Sequence, residues 1–291
     1  MQFEMLPGGT PLPRLGLGTW RFGERAAARA AEVATLRSAL DLGYRLIDTA
    51  EMYGEGGAET VVGMALAQAL RAGTVRREDL FIVSKVYPHN ASRSGTAAAC
   101  DRSRRRLGLD TIDLYLLHWR GTHPLAHTCE AFAHLMDRGH IRHWGVSNFD
   151  TEDMRELQQV QQDLGLAEGA RSCATDQVYY SLSTRGPEFS LLPWLRQRAI
   201  ALMAYSPIDQ GALLAEPALQ ALAQRRGLSA AQLALAWVLG QEGVVAIPKA
   251  AREAHLRENL AAAAIALDAD ERAQLNAAFA APQRETPLAM L

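Results

Sequence analysis

The chain has 291 residues, 48% of them hydrophobic, and sets 30 basic side chains against 32 acidic ones for a formal net charge of -2. That length suits two small domains or one large barrel and leaves ample material for a core. The near-neutral balance excludes the electrostatic footprint of a protein that binds nucleic acid or an acidic membrane.

Three cysteines, Cys100, Cys129 and Cys173, are an odd number without ligand-like spacing and read as buried or idle thiols in a reducing compartment. The N-terminal residues Met1-Gln2-Phe3-Glu4-Met5 lack a basic segment followed by an apolar one, so no signal peptide is expected. The longest apolar run, Leu260 to Leu267, falls short of the roughly 20 residues that a membrane helix needs. A cytoplasmic protein with no membrane or nucleic-acid partner is expected, and no metal site is read from the sequence.

In chain order, residues 2 to 15 alternate apolar and polar around Pro7-Gly8-Gly9-Thr10, the pattern of a β-hairpin. Leu15-Gly16-Leu17-Gly18-Thr19-Trp20 reads as a short strand, followed by a polar loop and a helix through about Gly43. Further strands are predicted at Tyr44 to Asp48, Leu80 to Lys85, Ile112 to His118 and Ile141 to Ser147. Three more follow at Cys173 to Gln177, Ile200 to Tyr205 and Val244 to Ile247.

Helical periodicity fills the intervals, as in Ala58 to Leu70, Ala97 to Leu107 and Ala131 to Arg138. Gly43, Gly73, Gly108, Gly139 and Gly165 stand where a left-handed residue closes a helix. The last interval is long enough for two helices, Ala218 to Arg226 and Ala230 to Gly240. The basic cluster Arg102, Arg104, Arg105 and Arg106 reads as a solvated helix face in preference to a phosphate patch. A final helix, Asp268 to Ala280, precedes a short tail, Pro282 to Leu291, that is either frayed or folded over one barrel end.

Eight strands alternating with helices, and no Pro/Gly-rich linker between halves, predict an α/β chain folded as a single (β/α)8 TIM barrel over residues 1–291. The competitor is a doubly wound open sheet. Its dinucleotide fingerprint is missing, because Gly54-Glu55-Gly56 is followed by Gly57, Ala58 and Glu59.

In a parallel barrel all strands point one way, about 4.8 Å apart, and the carboxyl ends form the rim where active sites are built. Asp48, Lys85 and His118 end the second, third and fourth strands, and Tyr53 lies just beyond the second. A free tyrosine, with a pKa of about 10, is a weak acid at neutral pH. An ammonium beside it would favour the phenolate and lower that value. Lys85 supplies the charge, Asp48 holds Lys85, and His118 orients a substrate oxygen. The set amounts to a proton donor aimed at an oxygen gaining negative charge, as carbonyl reduction requires. Singly, each has another reading: a helix cap for Asp48, a loop aromatic for Tyr53, a rim salt bridge for Lys85, a structural hydrogen bond for His118.

These residues resemble the aldo-keto reductase family, and the match keeps its order over nearly the whole chain. Leu15-Gly16-Leu17-Gly18-Thr19-Trp20 resembles the family's first barrel strand. Ile47-Asp48-Thr49-Ala50 with Tyr53-Gly54, Ser84-Lys85, and Leu116-Leu117-His118-Trp119 resemble its Asp-Tyr-Lys-His tetrad. Gly145-Val146-Ser147-Asn148-Phe149, Gln177, Tyr205-Ser206-Pro207 and Ile247-Pro248-Lys249 resemble its nicotinamide-cofactor positions.

The resemblance implies a barrel closed at its base by the N-terminal hairpin, and an enzyme that reduces aldehydes or ketones with NADPH and without a metal. By position, Tyr53 is the proton donor, and Asp48, Lys85 and His118 complete the tetrad. Ser147, Asn148 and Gln177 would bond the carboxamide, whose donor and acceptor suit amide side chains, and Tyr205 would stack on the nicotinamide. Thr19, Trp20 and Asp48 would also border the cofactor. The loop Ser206 to Leu214, with Pro207, Ile208, Gln210, Gly211 and Leu213, would lie along the pyrophosphate. Ile247 would flank the cofactor, Lys249 would meet the 2′-phosphate, and Glu258 and Asn259 the adenine.

Two positions depart from the pattern. Ala250 and His255 stand where many members carry a serine and an arginine for the 2′-phosphate, and a histidine adds little positive charge at pH 7. Arg252 and Arg257 lie nearby, so NADPH is expected and NADH is possible.

Trp20, Tyr87, His89 and Trp119 are candidate pocket residues, with plain packing as the other reading. A short loop at Trp119 to Pro124 and a short tail imply an open site for varied small carbonyls. The protein is expected to act as a monomer. Alternatives are a cofactor-sensing regulatory subunit with little turnover, and a Schiff-base barrel enzyme using Lys85 as nucleophile.

Overall fold

A computed structural model describes residues 2–291. The hairpin comes first: β1 (Phe3–Met5) runs antiparallel to β2 (Pro11–Pro13), with Glu4 opposite Leu12. Strands and helices then alternate as β3 (Gly16–Gly18), α1 (Arg29–Leu42), β4 (Leu46–Asp48), α2 (Gly57–Arg71), β5 (Phe81–Val86), α3 (Arg93–Leu107), β6 (Ile112–Leu117), α4 (Leu125–Asp137) and β7 (Ile141–Ser147). The second half adds α5 (Thr151–Asp163), β8 (Thr175–Tyr179), α6 (Leu191–Arg196), β9 (Ala201–Tyr205), α7 (Pro217–Arg226), α8 (Ala230–Leu239), β10 (Val244–Ala246), α9 (Glu253–Ala262) and α10 (Ala269–Ala278).

Strands β3 to β10 pair in chain order, every neighbour parallel. The two ends of the sheet meet through the parallel bridges Leu15–Ala246 and Gly18–Lys249, with the Ala246 amide donating to the Arg14 carbonyl at 2.8 Å. This is the (β/α)8 barrel that the strand–helix alternation predicts. Closure depends on Gly18, because a Cβ there would stand 2.8 Å from the Ile247 carbonyl oxygen. All five helix-closing glycines have positive φ, from 66° at Gly165 to 106° at Gly43. Tyr44 departs from expectation. It anchors β4 from outside the strand, buried with its hydroxyl donating to the Leu256 carbonyl at 3.0 Å. Helix α6 goes unread in the sequence because six residues around Pro193 are too few to show a period.

Two apolar layers follow from the two-residue side-chain period of each strand. Inward residues Leu46, Phe81, Val83, Leu114, Leu116, Met203 and Val245 fill the barrel, and Leu6 and Leu12 of the hairpin pack into the same cluster. Residues facing the other way, such as Ile47, Ile82, Tyr115 and Val146, join the helices in a larger outer core. The hairpin therefore plugs one end of the barrel. Side chains that continue the inward series at the carboxyl ends have only the opposite, open end to face.

The arginines of α3 correct part of the solvated-face reading. Arg102 Nη2 lies 3.1 Å from Glu51 Oε2, and Arg104 pairs with Asp101 at 3.0 Å. Arg106 Nε lies 2.6 Å from Glu59, whose fully buried carboxylate also accepts from Ser84 Oγ at 2.5 Å. Arg102 and Arg106 are staples from α3 to its neighbours, whereas Arg104 pairs within the helix and Arg105 is exposed, as a solvated face would have it. The three cysteines are free and buried, and burial pushes the Cys100 and Cys129 thiols up to about 12. The tail is folded, not frayed. Leu288 packs against the outer core, Glu285 accepts from Ser190 Oγ at 2.6 Å, and the Leu291 amide lies against the Tyr205 hydroxyl at the end of β9. Among the described residues no helix is long and apolar enough to cross a membrane.

Asp176 alternates outward between Thr175 and Gln177, fully buried, and neither carboxylate oxygen has a well-placed hydrogen-bond partner. Burial raises its pKa well above the ordinary 3.8, with the Phe149 amide opposing only in part. Above the ordinary value the folded chain keeps a proton that the unfolded chain has lost, so stability falls as pH rises from there toward the folded value. We expect Asp176→Asn to flatten this decline and to raise the melting temperature at pH 8 by about 2–4 °C. Thermal unfolding of both proteins from pH 5 to 9 checks it; an Asn variant that is less stable than the parent at pH 8 would refute it.

Candidate active site

Four side chains converge at the open end. Asp48 continues the inward series of Leu46, Lys85 that of Val83, and His118 that of Leu116, so each points into the barrel one step above the apolar filling. Burial is deep: Asp48 is 2% exposed, Lys85 0% and His118 7%. Lys85 Nζ donates to Asp48 Oδ1 at 2.9 Å, to Asp48 Oδ2 at 2.8 Å and to the Thr49 carbonyl at 2.9 Å. Three ammonium hydrogens thus have three close acceptors, and Tyr53 Oη at 3.4 Å is a longer fourth contact. The Tyr53 ring also lies edge-on to His118, centroids 5.7 Å apart.

Local backbone brings Tyr53 over the mouth. It opens a tight turn, Tyr53–Gly56, in which Gly54 and Glu55 take φ of 56° and 52°. Gly54 packs so closely on the loop after β3 that a Cβ would come within 2.9 Å of the Gly23 backbone. Thr19, fully buried, donates its hydroxyl to the Asp48 carbonyl at 2.9 Å and ties β3 to β4 beneath the site.

The electrostatics correct one sequence expectation. The Tyr53 phenol is pushed up, not down: burial raises its pKa well above 10.0 and the Asp48 carboxylate adds to the rise. The ammonium that was to lower it is spent on Asp48 and Thr49. Desolvation pulls the Lys85 ammonium down while Asp48 partly holds it up. Burial, then the Lys85 charge, pushes His118 well below 6.5, so its imidazole is neutral at pH 7. A Schiff-base role for Lys85 is disfavoured, since such a nucleophile must be neutral and free of acceptors.

Beside the tetrad, Ser147 ends β7 in register with Gln177 of β8, and Asn148 follows just past the strand. Asn148, at φ 59°, donates Nδ2 to the His118 carbonyl at 3.1 Å and accepts from the Tyr205 hydroxyl at 2.9 Å. Ser147 Oγ donates to the Gln177 carbonyl at 2.7 Å. Gln177 Nε2 reaches Asp48 Oδ1 at 2.8 Å, so the amide row is wired to the tetrad, a link that sequence does not show. Tyr205 is half-buried and stacks on Tyr179 with centroids 5.5 Å apart. Ile247 is buried in the inner core beside it.

The loop from Ser206 through Leu214 is irregular. Ser206, Asp209 and Gln210 have φ of 47°, 51° and 50°, Gly211 has 95°, Pro207 and Leu213 are buried, and Ile208 packs on the outer core. Its anchor is Asp209, which accepts from the Tyr179 hydroxyl and, at 3.1 Å, from Ser183. No sequence signal marks that anchor, because its partners lie two elements upstream.

At the start of α9 the proposed phosphate residues cluster. Lys249 is exposed, 5.5 Å from the Phe22 ring centroid, and its pKa is lowered by desolvation and by the nearby Arg21. The Glu32 and Glu24 carboxylates oppose that fall, so Lys249 stands among charges of both signs. Ala250 is buried, and Arg252 Nη2 lies 2.6 Å from His255 Nε2. Arg257 is taken by Glu253 at 2.7 Å. Glu258 is half-buried, while Asn259 is buried against the Tyr44 hydroxyl.

Three of the four pocket aromatics form one wall. Tyr87 lies 4.5 Å from His89 and 5.7 Å from Trp119, and Trp119 lies 4.9 Å from His118. Trp20 stands apart after β3, with the Arg21 guanidinium 4.6 Å above its ring. Glu51 holds the wall's loop and goes unassigned in the sequence; it stands two residues before Tyr53, but only the fold brings Tyr87, Asn90 and Arg102 to it. Among the described residues no group of three or more His, Cys, Asp or Glu side chains is placed to hold a metal ion.

Comparison with known proteins agrees with this geometry. A model of the "Aldo/keto reductase family" matches residues 14–280. "Methylglyoxal reductase YeaE" of Escherichia coli is 46% identical, covering 100% of both chains. "Glyoxal reductase" of Bacillus subtilis is 35% identical over 87% of this chain and 84% of its own. The crystal structure of an aldo/keto reductase from Klebsiella pneumoniae, in complex with NADP and acetate, superposes with a TM-score of 0.90 at 45% identity, covering 99% of each chain.

The buried pair yields a stability test. Lys85→Met leaves the Asp48 carboxylate buried without its ammonium, and we expect a loss of about 3–5 kcal/mol in urea unfolding. The double variant Asp48→Asn/Lys85→Met is expected to regain at least half of it. A double variant no more stable than Lys85→Met would show that the two side chains do not act as a pair.

Proposed function

The chain belongs to the aldo/keto reductase family, and from that premise we propose that it reduces small aldehydes and ketones to alcohols with NADPH, Tyr53 giving the proton. The observation that carries this reading is the buried chain of contacts from Asp48 through Lys85 to Tyr53 Oη, with a neutral His118 ring alongside.

When bound, the nicotinamide cofactor supplies the hydride. The carbonyl oxygen then gains negative charge and needs a proton at the same place. Tyr53 is neutral at pH 7, the state a donor requires, and an alkoxide is basic enough to take the phenolic proton. Lys85 steadies the phenolate left behind, and Asp48 keeps Lys85 within reach. His118, held neutral, serves as a hydrogen-bonding group that orients the oxygen and not as the acid. Ser147, Asn148 and Gln177 present the hydroxyl and amide groups that a carboxamide can pair with, and Tyr205 offers a ring face beside them.

For the 2′-phosphate, Lys249 and Arg21 supply positive charge, and Arg252, leaning on His255, stands in for the arginine that the family carries at that position. NADPH is therefore the preferred cofactor in this reading. The relatives from Escherichia coli and Bacillus subtilis, named for methylglyoxal and glyoxal, favour small dicarbonyls as substrates.

The decisive experiment follows NADPH oxidation with methylglyoxal. Tyr53→Phe is expected to lower kcat by about 10²–10⁴-fold while NADPH affinity, read by fluorescence titration, stays unchanged. Full activity in that variant would refute the donor assignment, and a wild type that binds NADPH without turnover would favour a regulatory role. Because His118 is depressed and Tyr53 raised, kcat/KM is expected to show no inflection at an ordinary imidazole value of about 6.5. A rate that fell to half there would mean that His118 titrates normally. The ratio of kcat/KM for NADPH over NADH is expected to fall by about tenfold in Arg252→Ala; no change would remove that residue from the phosphate site.

A further inference from the structure

Glu51 lies between Asp48 and Tyr53 and has no part in the chemistry derived above, yet it is only 6% exposed. Its Oε1 accepts from the Tyr87 backbone amide at 2.8 Å and from Asn90 Nδ2 at 3.0 Å. Its Oε2 pairs with Arg102 Nη2 of α3 at 3.1 Å, and its own amide donates to the Lys85 carbonyl at 3.3 Å. One side chain thus joins the loop that carries Tyr53 to the loop after β5 that carries Tyr87 and His89. The Tyr87 hydroxyl faces Glu55, so the same pair of loops is joined at a second point.

A buried carboxylate is a poor device for stability alone, since apolar packing of the same volume costs less desolvation. What it provides is direction: its acceptors fix an amide hydrogen and an amide side chain in one geometry. Tyr87 carries its neighbours with it, because its ring packs on both His89 and Trp119. The aromatic wall therefore stands at a distance from Tyr53 Oη that Glu51 sets.

We propose that Glu51, with Asn90 and Arg102, is a positioning residue that fixes the width of the substrate pocket and so favours small carbonyls over bulky ones. The proposal rests on the reductase reading given above. Releasing the clamp lets the wall withdraw. A small substrate then loses contacts and its KM rises, whereas a bicyclic aromatic aldehyde gains room. Lys85, Asp48 and Tyr53 keep their mutual contacts, so kcat is spared.

The test compares methylglyoxal with 2-naphthaldehyde in wild type, Glu51→Ala and Glu51→Gln, with NADPH affinity measured in each. In Glu51→Ala the ratio of kcat/KM for the small over the bulky substrate is expected to fall at least about fivefold, through KM, with NADPH affinity unchanged. Glu51→Gln keeps Oε1 as the acceptor for both the Tyr87 amide and Asn90 Nδ2 and gives up only the pair with Arg102, which can turn to solvent, so most of the discrimination returns. Should Glu51→Ala fail to fold, Asn90→Ala removes one donor of the clamp and is expected to shift the ratio in the same direction. An unchanged ratio in a folded variant, or an equal loss for both substrates carried by kcat, overturns the proposal. The clamp has its own readout in hydrogen exchange: the Tyr87, His89 and Asn90 amides should exchange faster in Glu51→Ala, and unchanged protection overturns it even if the reductase reading stands. A wild type that turns over neither aldehyde counts against the reductase reading instead, leaving the exchange measurement to judge the clamp.

Discussion

A single ammonium group, fully buried, sets the terms for this site. Lys85 can stay charged inside the barrel only because Asp48 offers both carboxylate oxygens and Thr49 a carbonyl, all within 2.9 Å. An unpaired charge at that depth costs several kcal/mol, so the three acceptors are a condition of folding as well as of chemistry. Their demand also explains why Tyr53 is a longer contact. The lysine holds its counter-ion tightly and its phenol loosely, and the phenol keeps its proton.

The barrel makes this arrangement possible by geometry. Neighbouring parallel strands stand side by side, and the two-residue period sends Asp48, Lys85 and His118 inward together. Below them lie apolar side chains and the hairpin plug of Leu6 and Leu12, which keep water from the lower end. Low dielectric around the pair strengthens its attraction and also raises the desolvation that pushes Tyr53 up and His118 down. A dry base and two uncharged working groups are one physical consequence.

The barrel, its strand ends and the tetrad could be read from the chain because each rests on short-range regularity: alternating residues, helix-closing glycines, a polar residue where an apolar strand stops. Pairings across the fold carry no such mark. The arginines of α3 are a run of like charges in the sequence and grip Glu51, Asp101 and Glu59 in the structure. Asn259, expected at the adenine, is buried against Tyr44. The tail reads equally as frayed or folded until Leu288 and Glu285 find their partners.

By itself the sequence determined the architecture and which side chains reach the rim, because residue spacing decides both strand count and side-chain direction. Tertiary structure alone decided the protonation of those side chains and the company they keep. Charge state depends on burial and on partners tens of residues distant, as with Lys85 and Asp48, or with Gln177 and Asp48, and no local pattern records those distances. Glu51 is the plainest case: two residues from Tyr53 in the chain, it acts on a loop that only folding brings beside it.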